Sequence, residues 1–260
     1  MKKVYLITLL LLSIFTFSCK KESKPIVNQP YSIYVPVKLI NFDTSKEDII
    51  LDYNDKGLLA LYVKGAIHDT ILYNSKGNVI QIDRYANGSI WARTKFTLNS
   101  LGDAQKVDFY EIVSGVEKLR ESQMNTFNSK RQLTTRQSIY PGETTPRYGP
   151  STFEYDETGN LIKETYTTGT YAYTYDSRNG IFKNANNILL LSLLNIELIP
   201  FIVSNPTAIT YTYTGEGTSE PRTYNLVYTY HPSDYPISFQ YQHLGLPVTC
   251  EVVYGKITFN

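Results

Sequence analysis

The chain has 260 residues, a length that one large all-β domain or two domains of roughly 150 residues would fill. Its 25 Lys and Arg against 24 Asp and Glu give a formal charge of +1, which excludes the marked basic excess of a nucleic-acid binder. Hydrophobic residues at 42% argue against disorder, and 23 tyrosines beside 11 phenylalanines set a β-rich expectation, because aromatic side chains suit a pleated surface.

Residues 1–18 open with Lys2 and Lys3 and run into an apolar stretch from Val4 to Phe17. That is the order of a secretory signal, and the stretch is shorter than the ~20 residues of a spanning helix. Cys19 follows the small Ser18 and precedes the polar Lys20-Lys21-Glu22. The arrangement resembles a bacterial lipobox, with Thr16 where leucine is commonest. It implies cleavage before Cys19, acylation of Cys19 and a membrane anchor there, with the outer membrane as destination, on its surface or facing the periplasm. An ordinary signal with a chance cysteine is the alternative. Losing 1–18 removes two lysines and no acid, which leaves a charge of −1. Cys250, the other cysteine, then lacks a partner and reads as a buried free thiol in a strand-like run.

Residues 19–36 carry three prolines and no apolar period, so they read as the lipidated cysteine and a tether, with 37–260 as one β domain. Within that domain LDYNDKGLLALYVK (51–64), ILYNSKGNVIQIDRY (71–85), FTLNSLGDAQKVDFY (96–110), FEYDETGNLIKETY (153–166) and YTYDSRNGIFK (173–183) align as a degenerate repeat. Each offers an aromatic or apolar residue, Asn or Asp, a few polar residues, Gly, and a second strand. An Asx side chain caps a tight turn, and a Gly three residues on supplies positive φ. The pairs are Asn54/Gly57, Asn74/Gly77, Asn99/Gly102 and Asp156/Gly159, with Asp176/Gly180 one residue longer and Asn128/Arg131 lacking the Gly. Tyr171/Tyr173/Tyr175, Tyr211/Tyr213 and Tyr224/Leu226/Tyr228/Tyr230 repeat with a period of two, leaving Thr210, Thr212 and Thr229 on the other face. The expectation is all-β: an antiparallel up-and-down meander of hairpins. One short apolar helix should pack on the sheet, over 184–203, capped by Asn187 and stopped by Pro200.

YDETGNLIKETY and YTYDSRNG resemble the YD repeat of Rhs-type proteins, and DYNDKGLL and YNSKGNVI look like relaxed copies. The order of a lipobox, YD-like hairpins, YDSRNGIFKNANNILLLSLL, Asn205 and a late Tyr228-x-Tyr230 with Tyr235-Pro236 is similar to a family of Gram-negative lipoproteins of unassigned activity. About six copies would be too few to wrap a cargo, and the family supplies no established activity.

The residues themselves point the same way. His68, His231 and His243 have no metal-ligand spacing, and no P-loop, GxSxG or GxGxxG occurs, so no metal or cofactor is expected. Exposed aromatics on a rigid scaffold could stack on sugars: Trp91 and Tyr85 near the Asn87-Gly88 turn, Tyr140 and Tyr148 in a Pro/Gly-rich loop. The competing reading makes them core or cross-strand residues. The functional expectation is a non-enzymatic binding or structural module that meets a glycan or an envelope protein. The alternatives are a glycan hydrolase using paired carboxylates, among Glu154, Asp156, Glu157 and Glu164, and an assembly partner of another envelope protein.

Overall fold

In the computed structural model, residues 31–42, 47–185, 201–214, 220–243 and 246–259 are described. Ser32–Thr258 forms one compact unit. Of the other, 1–31 with 259–260, only Tyr31 and Phe259 are described, their rings stacked at 4.9 Å. The signal of 1–18, Cys19 and the first part of the expected tether lie outside the described residues, and the first strand begins at Tyr31, inside the stretch 19–36.

Seventeen strands make one antiparallel sheet. They are β1 Tyr31–Ile40, β2 Ile49–Tyr53, β3 Leu59–Lys64, β4 Ile67–Tyr73, β5 Val79–Ala86, β6 Ser89–Leu98, β7 Ala104–Val113, β8 Val116–Phe127 and β9 Leu133–Ile139. Then follow β10 Ser151–Tyr155, β11 Leu161–Tyr166, β12 Gly169–Tyr175, β13 Pro206–Tyr213, β14 Arg222–Asn225, β15 Val227–Tyr230, β16 Pro236–His243 and β17 Leu246–Phe259. β1 pairs with both β2 and β17, so the meander closes into a barrel. Ser32 meets Thr258 while Val37 lies against Gly255, the crossing order of an antiparallel pair. β14 and β15 are pieces of one run interrupted at Leu226, whose N–H still donates to the Thr207 carbonyl at 2.9 Å. Counting that run once makes the strand number even, as closure by antiparallel pairs alone requires.

Seven hairpins share one turn geometry at the same end of the barrel, here the turn end. In the first, the Asn54 N–H donates to the Leu58 carbonyl and the Gly57 N–H to the Asn54 carbonyl, both at 2.9 Å, while Asn54 Oδ1 accepts the N–H of Lys56 and of Leu58 at 3.0 Å. Asn74, Asn99, Asn128 and Asp156 cap their turns through Oδ1 in the same way. Gly57, Gly77, Gly102 and Gly159 take φ between +69° and +98°, and Arg131 occupies the equivalent place at +63°. Arg131 Nε reaches back 2.7 Å to Asp103 of the preceding turn. The tyrosine before the Asx residue explains the two-letter motif: its ring is half-buried against the core, and Tyr73 and Tyr175 donate their hydroxyls to the carbonyls of Leu59 and Leu161 on the preceding hairpin.

The sixth turn departs from the sequence expectation. Asp176 is closed by Asn205 instead of reaching Gly180: the Asp176 N–H donates to the Asn205 carbonyl at 3.1 Å and the Asn205 N–H to Asp176 Oδ1 at 3.3 Å. A segment is therefore inserted in one hairpin loop. Gly180 serves close approach, since a Cβ there would lie 2.7 Å from the Phe201 carbonyl oxygen. The seventh copy replaces Asx by His231, whose N–H donates to the Tyr235 carbonyl and whose Nδ1 accepts the Ser233 N–H, with Asp234 at φ +64°.

The expected helix over 184–203 is not supported, and no α-helix occurs among the described residues. Residues 186–200, with Asn187 and Pro200, lie outside them. The flanks of the segment, a turn over 181–184 and the chain at 201–203, bond to each other, Gly180 N–H to the Val203 carbonyl and Phe182 N–H to the Phe201 carbonyl. An apolar run alone cannot distinguish a buried helix from strand-like chain. Ile181, Phe182 and Phe201 instead fill the barrel beside Leu39, Leu51, Leu133, Leu161 and Phe239. The described flanks bridge the neighbouring turns through Ser204 to Asn160 and Asn179 to Asp234.

Candidate functional site

Strand alternation sorts the side chains. Leu51, Tyr62, Ile71, Ile82, Phe96, Val107, Phe153, Tyr173, Phe239 and Cys250 face inward and are buried. The outward positions of β6 carry Arg93, Lys95 and Thr97, and those of β12 and β13 carry Thr170, Thr174, Thr210 and Thr212. On β5 to β8 the outer face is tied by ion pairs: Arg93 to Asp83 at 2.6 Å, and Arg93 and Lys95 to Glu117 at 2.7 and 2.6 Å. Those two cations hold the Glu117 carboxyl below its ordinary range, Lys95 more strongly than Arg93. A membrane-crossing barrel has the reverse arrangement, an apolar outer band around a polar interior. Among the described residues no helix is long and apolar enough to cross a membrane.

Towards the opposite end, here the loop end, the interior turns polar. Arg84 grips the buried Asp69 through both carboxylate oxygens, at 2.8 and 2.7 Å. Two adjoining cavities lie at this end. One, of about 320 Å³, is lined by Arg84, Trp91, Arg93, Phe109, Glu111 and Arg120 among others. The other, of about 610 Å³, is lined by Phe109, Leu119, Arg120, Glu121, Tyr140 and Pro141. Phe109 and Arg120 belong to both, so apolar ring faces and charged groups of both signs converge on one region.

Of the four aromatics singled out in the sequence, the structure brings two to these cavities. Trp91 is 42% exposed because it is the extra residue of a bulge, where Arg84 and Tyr85 oppose Ala92 and Ile90. Tyr140 closes β9 and lines the larger cavity, with the Arg147 guanidinium 5.4 Å from its ring centroid. Tyr85 instead stacks on His68 at 4.7 Å as a cross-strand pair. Tyr148 is exposed in the loop, held by its carbonyl, which accepts from Gln137 Nε2. Phe109, Arg84, Arg120 and Glu121 were not legible as site residues, since only the register of β5 to β8 brings them to the cavities.

The carboxylates singled out in the sequence fall on both faces of the sheet and at a turn. Glu154 pairs with Lys163 at 3.0 Å on the outer face, and Asp156 caps its turn. Glu164 is fully buried on the inner face, where Oε1 accepts from Tyr173 at 2.9 Å and Oε2 from Tyr166. Burial pushes the Glu164 carboxyl above its ordinary range, against those two hydrogen bonds and the nearby Arg136. Among the described residues no cluster of three or more His, Cys, Asp or Glu could hold a metal ion.

No protein-family model and no curated protein matches the chain. Two solved structures share its fold. A porin-like protein from Bacteroides uniformis ATCC 8492 is 14% identical with a TM-score of 0.52, over 85% of this chain and 98% of that one. A porin-like protein from Bacteroides vulgatus ATCC 8482 is 13% identical with a TM-score of 0.53, over 85% and 99%. At these identities the likeness is one of fold.

Proposed function

We propose that the chain is a non-enzymatic binding protein of the cell envelope, anchored through Cys19 at the outer membrane, which takes a glycan at the loop end of its barrel. The anchor reading rests on the lipobox-like sequence, and a relation to YD-repeat proteins on the recurrent Tyr-Asx hairpins. The observation that carries the binding reading is the convergence of Trp91, Tyr140, Phe109 and charged side chains on adjoining cavities at the loop end. The turn end has a cavity of its own, of about 550 Å³, lined by Asp156, Asn160, Tyr175, Arg178 and Lys183 among others. Barrel ends are recurrent ligand sites, and flat aromatic faces beside hydrogen-bonding groups suit sugar rings. The polar outer face favours a barrel held at the membrane by its lipid over one that spans it. Glu154, Asp156 and Glu164 are each spent on a structural contact, an ion pair, a turn cap and a pair of tyrosine hydrogen bonds, which favours binding over hydrolysis.

Calorimetric titration of the full chain in detergent with neutral oligosaccharides tests this. Binding should be weakened roughly fivefold or more by Trp91→Ala or Tyr140→Ala, in line with the ~1–3 kcal/mol typical of a stacked aromatic. Failure of all oligosaccharides to bind, or indifference to both substitutions, would overturn it.

A further inference from the structure

Next to Glu121, which lines the larger cavity, lies a set of buried polar atoms without hydrogen-bond partners. Arg136 on β9 is 6% exposed, and its Nε and Nη2 find no hydrogen-bond partner among the described residues. The same holds for Asn125 Oδ1 and Gln123 Oε1 on β8 and for the Tyr155 hydroxyl on β10. Asn125 stands directly opposite Arg136, and Gln123 opposite Ser138. The Phe153 ring underlies the guanidinium at 5.4 Å. Glu121 links the set to the cavity it lines, accepting from Ser138 Oγ at 2.6 Å and from Gln123 Nε2 at 2.9 Å.

The neighbouring carboxylates leave the free edge of Arg136 alone. Glu164 spends its oxygens on Tyr166 and Tyr173, and Glu121 Oε1 is taken by Ser138 and Gln123. Burial drives Glu164 toward its neutral form, which lowers repulsion against an incoming anion. Burial also pushes the Arg136 guanidinium down, the cost of a charge held out of water. Native proteins rarely leave such groups unsatisfied, and the free atoms have a definite chemistry. Nε and Nη2 form one edge of a planar fork that matches the two oxygens of a carboxylate. Tyr155 adds a donor, and Asn125 and Gln123 add two acceptors suited to hydroxyls.

We infer that this set is a subsite for a hydroxy-carboxylate, with Arg136 and Tyr155 taking the carboxylate and Asn125 and Gln123 the hydroxyls. It deepens the glycan reading above, on which its choice of ligand rests, by naming acidic sugars as the class. The probes are D-glucuronate and D-glucose, which differ in the carboxylate, titrated into the full chain beside the neutral oligosaccharides. Glucuronate should bind roughly tenfold or more tightly than glucose, as a charge-assisted fork implies. Arg136→Lys and Tyr155→Phe should remove that preference, with circular dichroism confirming that each variant folds. Tyr155→Phe deletes one atom and keeps the ring, so it stays informative if Arg136→Lys does not fold. Oligosaccharide binding without a glucuronate preference, or a preference untouched by Tyr155→Phe, would overturn the subsite and leave the loop-end reading standing. An Arg136-dependent glucuronate signal with no oligosaccharide binding would support the subsite and overturn the loop-end reading. No binding of any probe would overturn both.

Discussion

Asp176 and Asn205 stand 29 residues apart in sequence yet occupy the places that Asn54 and Leu58 fill five residues inclusive within one turn. The backbone bond between them, the cap on the Asn205 N–H and the bulge that follows, Tyr175 opposite Pro206, all reproduce the short turns. A long insertion thus leaves the hairpin itself intact. It also gives this carboxylate a bond outside its own turn, since Asp176 Oδ2 accepts the Tyr230 hydroxyl of the next hairpin.

The effect of that bond can be measured. Asp176→Ala should cost roughly 2–4 kcal/mol, a capping loss plus a stranded buried hydroxyl. Asn54→Ala, which removes a cap alone, should cost about 1 kcal/mol. Urea unfolding of both variants gives the comparison, and equal losses would mean that Asp176 holds nothing beyond its own turn.

Gly159→Val should destabilise the fold by ~1–3 kcal/mol or more, because a β-branched residue is forced to φ +98°. Gln132 Nε2 lies 3.4 Å from where the new Cβ would sit, so crowding adds to the backbone strain. An unchanged thermal midpoint would contradict the turn geometry.

Glu164 ties stability to pH in a definite direction. Its folded-state pKa is raised above the ordinary 4.5, so its contribution is full below that value and is lost as pH rises through the folded one. Lowering pH from 8 towards 5 should therefore stabilise the native chain relative to Glu164→Gln, which cannot titrate. The check is the difference in thermal midpoint between the two proteins across that range; a difference that shrinks as pH falls would refute it.

Cys250 should be chemically silent while the barrel is intact. It is fully buried, and burial first, then Glu251 and Asp48, push its thiol up to about 12. A thiol-specific disulfide reagent at pH 8 should label it only in denaturant. Rapid labelling of the native chain would place the thiol at an accessible surface.

Cys19→Ala tests the anchor. The variant should appear in the soluble fraction, and continued sedimentation with membranes would sink the lipid-anchor proposal.

The hairpins were legible because an Asx cap and a positive-φ residue act within five residues, and the pattern survives even where Arg131 replaces Gly. The seventh copy escaped because His231 performs the capping with Nδ1, outside the Asn/Asp pattern. The split sixth turn escaped because its closing residue is remote, so Gly180 looked like the partner of Asp176. The apolar run after Asn184 suggested a helix because hydrophobicity without a period says only that chain is buried. Trp91 and Tyr140 could be picked out by turn and loop context. Arg136, Glu121 and Glu164 are ordinary charged residues in the sequence, and their importance follows from which face of which strand they occupy.

The bond between Ser32 and Thr258 joins residues separated by 226 positions, and it belongs to the seam where the first strand meets the last. Each hairpin can form from local contacts, but the ring cannot shut until β17 pairs with β1. Until then the folding chain carries two raw sheet edges, β1 and whichever strand has paired last. Such edges invite pairing with other chains. Contacts of this span also slow folding. The open sheet must be kept apart from its copies until the seam closes, and a short truncation within β17 would leave that hazard permanent.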